Sequence, residues 1–164
     1  DHLTLLNVYN QWADTDFSTQ WCFEHFIQPR SMRRARDVRD QLVGLMERVE
    51  IEMVSNPNGH DQICKAITAG FFDHTARLQK SGNYRTIKNP QTVHIHPHSA
   101  LIEERPRWLV YFELVFTTKE FMRQVIQIKP EWLIEIAPHY YEKREIEDTQ
   151  AKKMPKGVGR SADF

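Results

Sequence analysis

The run Trp108-Leu-Val-Tyr-Phe-Glu-Leu-Val-Phe-Thr-Thr-Lys-Glu-Phe-Met-Arg-Gln-Val-Ile-Gln-Ile128 decides how the second half of this chain folds. From Trp108 to Phe116 it is apolar on both parities apart from Glu113, the pattern of a strand covered on both faces. From Phe121 to Ile128 it alternates, with Met122, Ile126 and Ile128 opposite Arg123 and Gln127. The polar Thr117-Thr118-Lys119 between them makes the two segments a strand pair joined by a turn. Working backward, Gln91 to His96 and Tyr84 to Ile87 are further strands on either side of Lys88-Asn89-Pro90, a hairpin signal. In the former, Val93 and Ile95 point one way while Thr92, His94 and His96 point the other. Working forward, Pro130-Glu131 opens an amphipathic helix carrying Trp132, Leu133 and Ile136, which stops at Pro138.

Before residue 81 the apolar period is helical. Leu3, Leu6, Tyr9 and Trp12 form one stripe, with Asp1 as its cap. Trp21, Phe23, Phe26 and Ile27 give a short helix that ends before Pro29, because the residue before a proline disfavours the α region. A long helix from Ser31 to Glu52 is expected to bury Ala35, Val38, Leu42, Leu45, Met46 and Val49. After the turn cluster at Asn56-Pro57-Asn58-Gly59, a further helix is expected to run from Ile63 to Leu78, ended by Ser81-Gly82-Asn83. The reading is an α+β chain: a helix bundle at 1–80, a small four- or five-stranded β unit with a C-terminal helix at 81–143, and a Lys-rich tail at 144–164 expected to be disordered. Small barrels often bind nucleic acid, but the fold alone does not license the function.

Composition narrows the field. Lys+Arg and Asp+Glu both number 22, so bulk charge favours neither nucleic acid nor anionic lipid. At 40% hydrophobic residues the chain can bury a core and is not a wholly disordered segment. No run approaches the length of a membrane span, and no secretory signal pattern opens the chain. Starting on Asp1 rather than Met suggests a piece of a longer protein. The two cysteines, Cys22 and Cys64, form no C-x-x-C and fit a reducing compartment.

The densest charge feature is Arg30-Ser-Met-Arg-Arg-Ala-Arg-Asp-Val-Arg39, five arginines within ten residues. Arginine's planar fork suits phosphate. The plainer reading is a solvated helix face, in which Asp37 and Asp40 pair with Arg33, Arg34 and Arg36. His94-Ile-His96-Pro-His98 lacks the fourth ligand that a structural zinc site needs. Thr117, Thr118 and Lys119 could meet a phosphate backbone, and Tyr84 is the aromatic placed to stack on a base. There is no P-loop, no G-x-G-x-x-G, no nucleophile elbow and no H-E-x-x-H, and Cys22 with His25 lacks an orienting group. No catalytic and no metal-binding residue is expected.

Taken in order, Arg30-Ser31, the His96-Pro97 corner, the run from Trp108 to Arg123, and Trp132-Leu-Ile-Glu-Ile-Ala-Pro-His-Tyr-Tyr141 resemble the C-terminal region of DEAH-box RNA helicases of the pre-mRNA splicing type. Asp1-His-Leu-Thr-Leu-Leu-Asn-Val-Tyr9 looks like the start of that family's helix-bundle (ratchet) domain. The Arg30–Arg39 run and the tail at Lys152-Lys153-Met154-Pro155-Lys156 are similar to the member that remodels the activated spliceosome before the first transesterification. The resemblance implies a helix bundle followed by an OB-fold, closing over single-stranded pre-mRNA. It implies upstream motor domains that bind ATP and Mg and hydrolyse NTP, a G-patch activator protein, other spliceosome components as partners, and a nuclear location. This chain would then hold no cofactor and carry no activity alone. It also implies that Arg30, Ser31, Arg33, Arg34 and Arg36 line an RNA channel, with Tyr84, Arg85, Thr117, Thr118 and Lys119 on the OB-fold. His94 and His98 around the His96-Pro97 corner depart from the family pattern. A platform that docks splicing factors with little RNA contact is the alternative.

Overall fold

Helices α1 (His2–Asp14), α2 (Thr19–Glu24), α3 (Pro29–Arg48) and α4 (Asp61–Phe71) lead into strands β1 (Thr75–Leu78), β2 (Tyr84–Thr86), β3 (Thr92–Ile95), β4 (Trp108–Phe116) and β5 (Glu120–Gln127), followed by α5 (Pro130–Ile136) and α6 (Lys143–Ile146). This is a computed structural model, and it describes residues 1–147. The strands close into a barrel in the order β1-β2-β3-β5-β4, all neighbours antiparallel except β3 with β5. Closure removes the sheet edges that an open sheet would have to protect.

Two apolar cores flank the barrel wall. The interior is filled by Ala76, Tyr84, Val93, Ile95, Leu109, Tyr111, Met122 and Val125. Outside the wall, α4, α5 and α6 cover Trp108, Val110, Ile126 and Ile128 with Cys64, Trp132, Leu133, Ala137, Tyr141 and Ile146. This double cover is why β4 is apolar on both parities, and it stops where Phe112 emerges. There the ladder passes from Tyr111↔Val125 to Glu113↔Arg123 without pairing Phe112 to Gln124, and Gln124 adopts φ 54. Beyond this break the inward set slips by one residue, so Leu114 and Met122 face the interior.

Two expectations need correction. The helix expected to reach Leu78 stops at Phe71, and Thr75–Leu78 is β1, the strand that closes the barrel by pairing with both β2 and β4. Thr75 Oγ1 donates to Phe72 O at 2.7 Å, and Thr75 and Ala76 are both buried, so the segment shows no alternation to betray it. The long helix runs over Pro29–Arg48 with Pro29 in its first turn, and its expected buried face lies open. Val38, Leu42, Leu45 and Val49 are all exposed, and only Met32 of this helix is buried. Met32, Trp12 and Cys22 form the small helical core, with Val8, Tyr9, Phe17, Trp21 and Ile27 against it. Trp12 can be buried whole because its Nε1–H donates to Ser18 O at 3.1 Å.

Asp1 joins the two halves. Its carboxylate makes no cap bond to α1. Instead it accepts from Ser99 Oγ at 2.9 Å, Ala100 N at 2.7 Å and Val125 N at 2.8 Å. Asp1 N donates in turn to Val125 O at 2.9 Å. β3 has ended at Ile95, so Asp1 takes over the free side of β5. At the other end, residues 144–147 are not a loose tail. Ile146 is buried in the helix-covered core, and the Glu145 carboxylate accepts from Lys88 Nζ at 2.7 and 2.9 Å. The remainder of the expected tail, 148–164, lies outside the described residues. No helix among the described residues is long and apolar enough to cross a membrane.

Candidate nucleic-acid interface

The β1–β2 turn is held by Gly82 N–H to Gln79 O (2.9 Å) and Gln79 N–H to Asn83 O (2.8 Å), with Gly82 at φ +86. That backbone suits glycine, and a Cβ there would lie 3.2 Å from the Arg105 guanidinium. Arg105 donates to Gly82 O, tying this turn to the loop that leads into β4. On the other side, Thr117 N–H to Lys119 O (3.1 Å) closes the β4–β5 tip, where Thr117, Thr118 and Lys119 are exposed.

Between the turn and the tip runs an open groove of about 410 Å³, bounded by Gly82, His94, Ile102, Arg105, Lys119 and Phe121. His94 projects outward from β3 against the Phe121 ring, their centroids 6.1 Å apart. Burial lowers the pKa of His94, and the nearby Lys119 ammonium lowers it further. At neutral pH the imidazole is therefore a neutral hydrogen-bonding group, and the charged side chains that line the groove are Lys119, Arg105 and Glu103. Beside the groove, His96 Nδ1 accepts from His98 N at 3.1 Å. Among the described residues no group of three or more His, Cys, Asp or Glu side chains could hold a metal ion.

The expected site residues divide by place. Lys119 lines one end of the groove, while Thr117 and Thr118 are exposed at the adjoining tip and do not line it. Tyr84, expected to stack on a base, is only 3% exposed and its OH donates to Pro106 O at 2.6 Å, so its ring belongs to the barrel interior. Burial pushes its pKa up to about 12. Arg85 faces outward on β2 opposite Arg77 of β1, and lines a separate concavity with Gln79 and Glu145. Arg30, Ser31, Arg33 and Arg34 are exposed on the first half of α3. Ser31 Oγ donates to Gln28 Oε1 at 2.8 Å. The ion pairs expected from Asp37 and Asp40 to Arg33, Arg34 and Arg36 do not form; within α3 Asp40 meets only Arg39, at 3.9 Å. Arg36 turns inward, its guanidinium 4.8 Å from the Phe17 centroid and 5.9 Å from that of Trp12. It clamps the α1–α2 corner by cation–π contact.

Sequence reasoning took Gly82 for part of a helix stop, because β1 before it was read as helix, and it missed Ile102 and Arg105. Arg105 acts through a loop whose path no local pattern dictates. The thiols offer no competing chemistry. Cys22 is fully buried while His25 stacks on Trp21 at 4.2 Å, and burial raises the Cys64 thiol. The strand order, the single parallel pair and the groove between the β1–β2 and β4–β5 loops converge with the comparison to known families. Residues 63–140 match the oligonucleotide/oligosaccharide-binding (OB)-fold family, and the barrel with its flanking α4 and α5 is an OB-fold.

Proposed function

We propose that this chain is the C-terminal RNA-channel and regulatory module of a DEAH-box ATP-dependent RNA helicase that remodels RNA–protein complexes in pre-mRNA splicing. The observation that carries this reading is the open groove of the OB-fold, with Lys119 and Arg105 beside neutral His94. OB-folds take oligonucleotides between these two loops. The resemblance of residues 1–143 to the spliceosomal members of that family, nearest to the one acting before the first transesterification, supplies the rest. On this reading the ATP and Mg chemistry belongs to motor domains elsewhere in the protein, a G-patch protein activates it, and it works in the nucleus on single-stranded pre-mRNA. Contacts to phosphates give grip without regard to sequence, as a translocating motor requires.

With zero net formal charge, the isolated chain is expected to bind single-stranded RNA weakly. A filter-binding titration from low to high salt should give a shallow slope of log K against log salt, and Lys119→Glu should weaken binding further. Absence of any binding at low salt would defeat the reading, and a steep slope would contradict its weak-binding part.

The exposed apolar stripe of α3 favours a second reading, a platform that docks splicing proteins with little direct RNA contact. Charge reversal at Arg33 and Arg34 in the full-length protein separates the two. Lost RNA-stimulated ATPase with partner binding intact supports the first, and the reverse supports the second.

A further inference from the structure

The turn out of α2 is a helix stop of the Schellman type. Ile27 N–H reaches back to Cys22 O at 2.8 Å and Phe26 N–H to Phe23 O at 3.2 Å, with Phe26 left-handed at φ 58. Glycine normally takes this position, because a Cβ there crowds the backbone. Helices α1 and α3 end in the same way on Asp16 and Glu50, both at φ 57, whose charged side chains face water. Two rings bear left-handed backbone at these helix ends, and they differ in what they receive for it: Phe17, at φ 59 beside Asp16, packs on the helical core with its ring 4.8 Å from that of Trp12, whereas Phe26 is 98% exposed. Its neighbours hold the corner, since Cys22 is fully buried and Ile27 packs on the helical core. The ring contributes little to the fold that a glycine would not improve.

Its neighbours along the chain, Glu24 apart, point to a ligand with planar faces and negative charge. Phe23, three residues earlier, is 63% exposed. Four to eight residues later come Arg30, Arg33 and Arg34, exposed and without ion pairs among the described residues, and the first turn of α3 holds no acidic residue. An aromatic anchor for a protein partner would be set among apolar neighbours; this one is followed by a run of guanidinium groups.

We propose that the α2–α3 corner is a second contact for single-stranded nucleic acid, in which Phe26 stacks on a base and Arg30, Arg33 and Arg34 hold the adjacent phosphates. It rests on the RNA-contacting reading above and adds to it a stacking residue outside the OB-fold. Stacking is indifferent to base identity and to salt, so this contact positions the strand while the arginines supply the salt-dependent grip.

The test uses the chain as described, a ten-nucleotide oligouridine carrying 5-iodouridine, fluorescence anisotropy across salt, and thermal melts. Phe26→Gly should keep or raise the Tm while lowering affinity roughly fivefold to a hundredfold, the range of one lost base stack, with the salt slope unchanged. Phe26→Trp should retain affinity, Arg33→Ala with Arg34→Ala should flatten the slope, and photocrosslinks should map to Phe26. Wild-type affinity in Phe26→Gly overturns the proposal while leaving the RNA reading intact, and assigns the ring to a protein contact. If Phe26→Gly loses affinity together with Tm, failure of Phe26→Trp to restore binding overturns it. A wild-type chain that binds no RNA at low salt overturns both.

Discussion

The barrel and the helices before it treat the same kind of residue in opposite ways. In the barrel, apolar side chains on both sides of β4 are covered, inward by the other strands and outward by α4, α5 and α6. In α3 an apolar stripe just as regular, Val38-Leu42-Leu45-Val49, stands in water, and the helical core comprises Trp12, Cys22 and Met32. A closed barrel satisfies its own hydrogen bonds and brings its own cover. A helix satisfies its hydrogen bonds alone but buries only what a neighbour covers. Regular patterning therefore identifies a face that could be buried, and the topology decides whether it is.

The largest effect that would sharpen this contrast lies in the barrel's outer core. Leu133 is fully buried under the wall, and Leu133→Ala should cost about 2–5 kcal/mol in urea unfolding. A loss below about 1 kcal/mol would mean that the barrel is as loosely covered as α3. Next comes the tie between the halves. Asp1→Ala leaves the Ala100 and Val125 amides without their acceptor and should cost roughly 1–3 kcal/mol. Hydrogen exchange should show α1 amides losing protection while β4 keeps its own. Equal loss in both would show that the halves unfold as one unit.

How much of this was legible in the sequence follows from the same contrast. Strands β2 to β5 and helix α5 were readable because alternation, turn residues and Pro130 are local signals. Strand β1 was not, because Thr75 and Ala76 are buried together and only pairing with β2 and β4 makes the segment a strand. The exposed tip at Thr117–Lys119 was readable as a polar turn between strands. Tyr84 was misjudged because its phenol finds Pro106 O, twenty-two residues away. Arg36 resembled its neighbouring arginines until α1 and Phe17 came beneath it. Local chemistry nominates a residue, and long-range geometry assigns it to a face.

A smaller effect concerns how α6 is held on the barrel. Hydrogen bonding to the Lys88 ammonium, aided by the Glu142 backbone amide, holds the Glu145 carboxyl below its usual value of 4.5. A carboxylate with a lowered folded pKa stabilises the fold above its unfolded pKa and loses that contribution as pH falls through the folded one. Acidification below about pH 4.5 should therefore loosen α6 from the barrel, and Glu145→Gln should remove this part of the pH dependence at a cost of up to about 1 kcal/mol. A variant with the same acid transition as the wild type would show that Ile146 alone secures α6.

The smallest expected effect is the one most able to break the comparison. Leu42 is 54% exposed in the middle of the α3 stripe. If that stripe is open in the isolated chain, Leu42→Ser forfeits little burial and should change unfolding free energy by no more than about 0.5 kcal/mol. The unfolding midpoint of the wild type should also be independent of protein concentration, since a covered stripe in a self-associated chain would link stability to mass action. A cost of 2 kcal/mol or more, roughly that of truncating a buried leucine, would mean the stripe is covered in solution. In that case α3 would be governed by the same rule as β4, with its cover supplied by another copy of the chain rather than by its own neighbours.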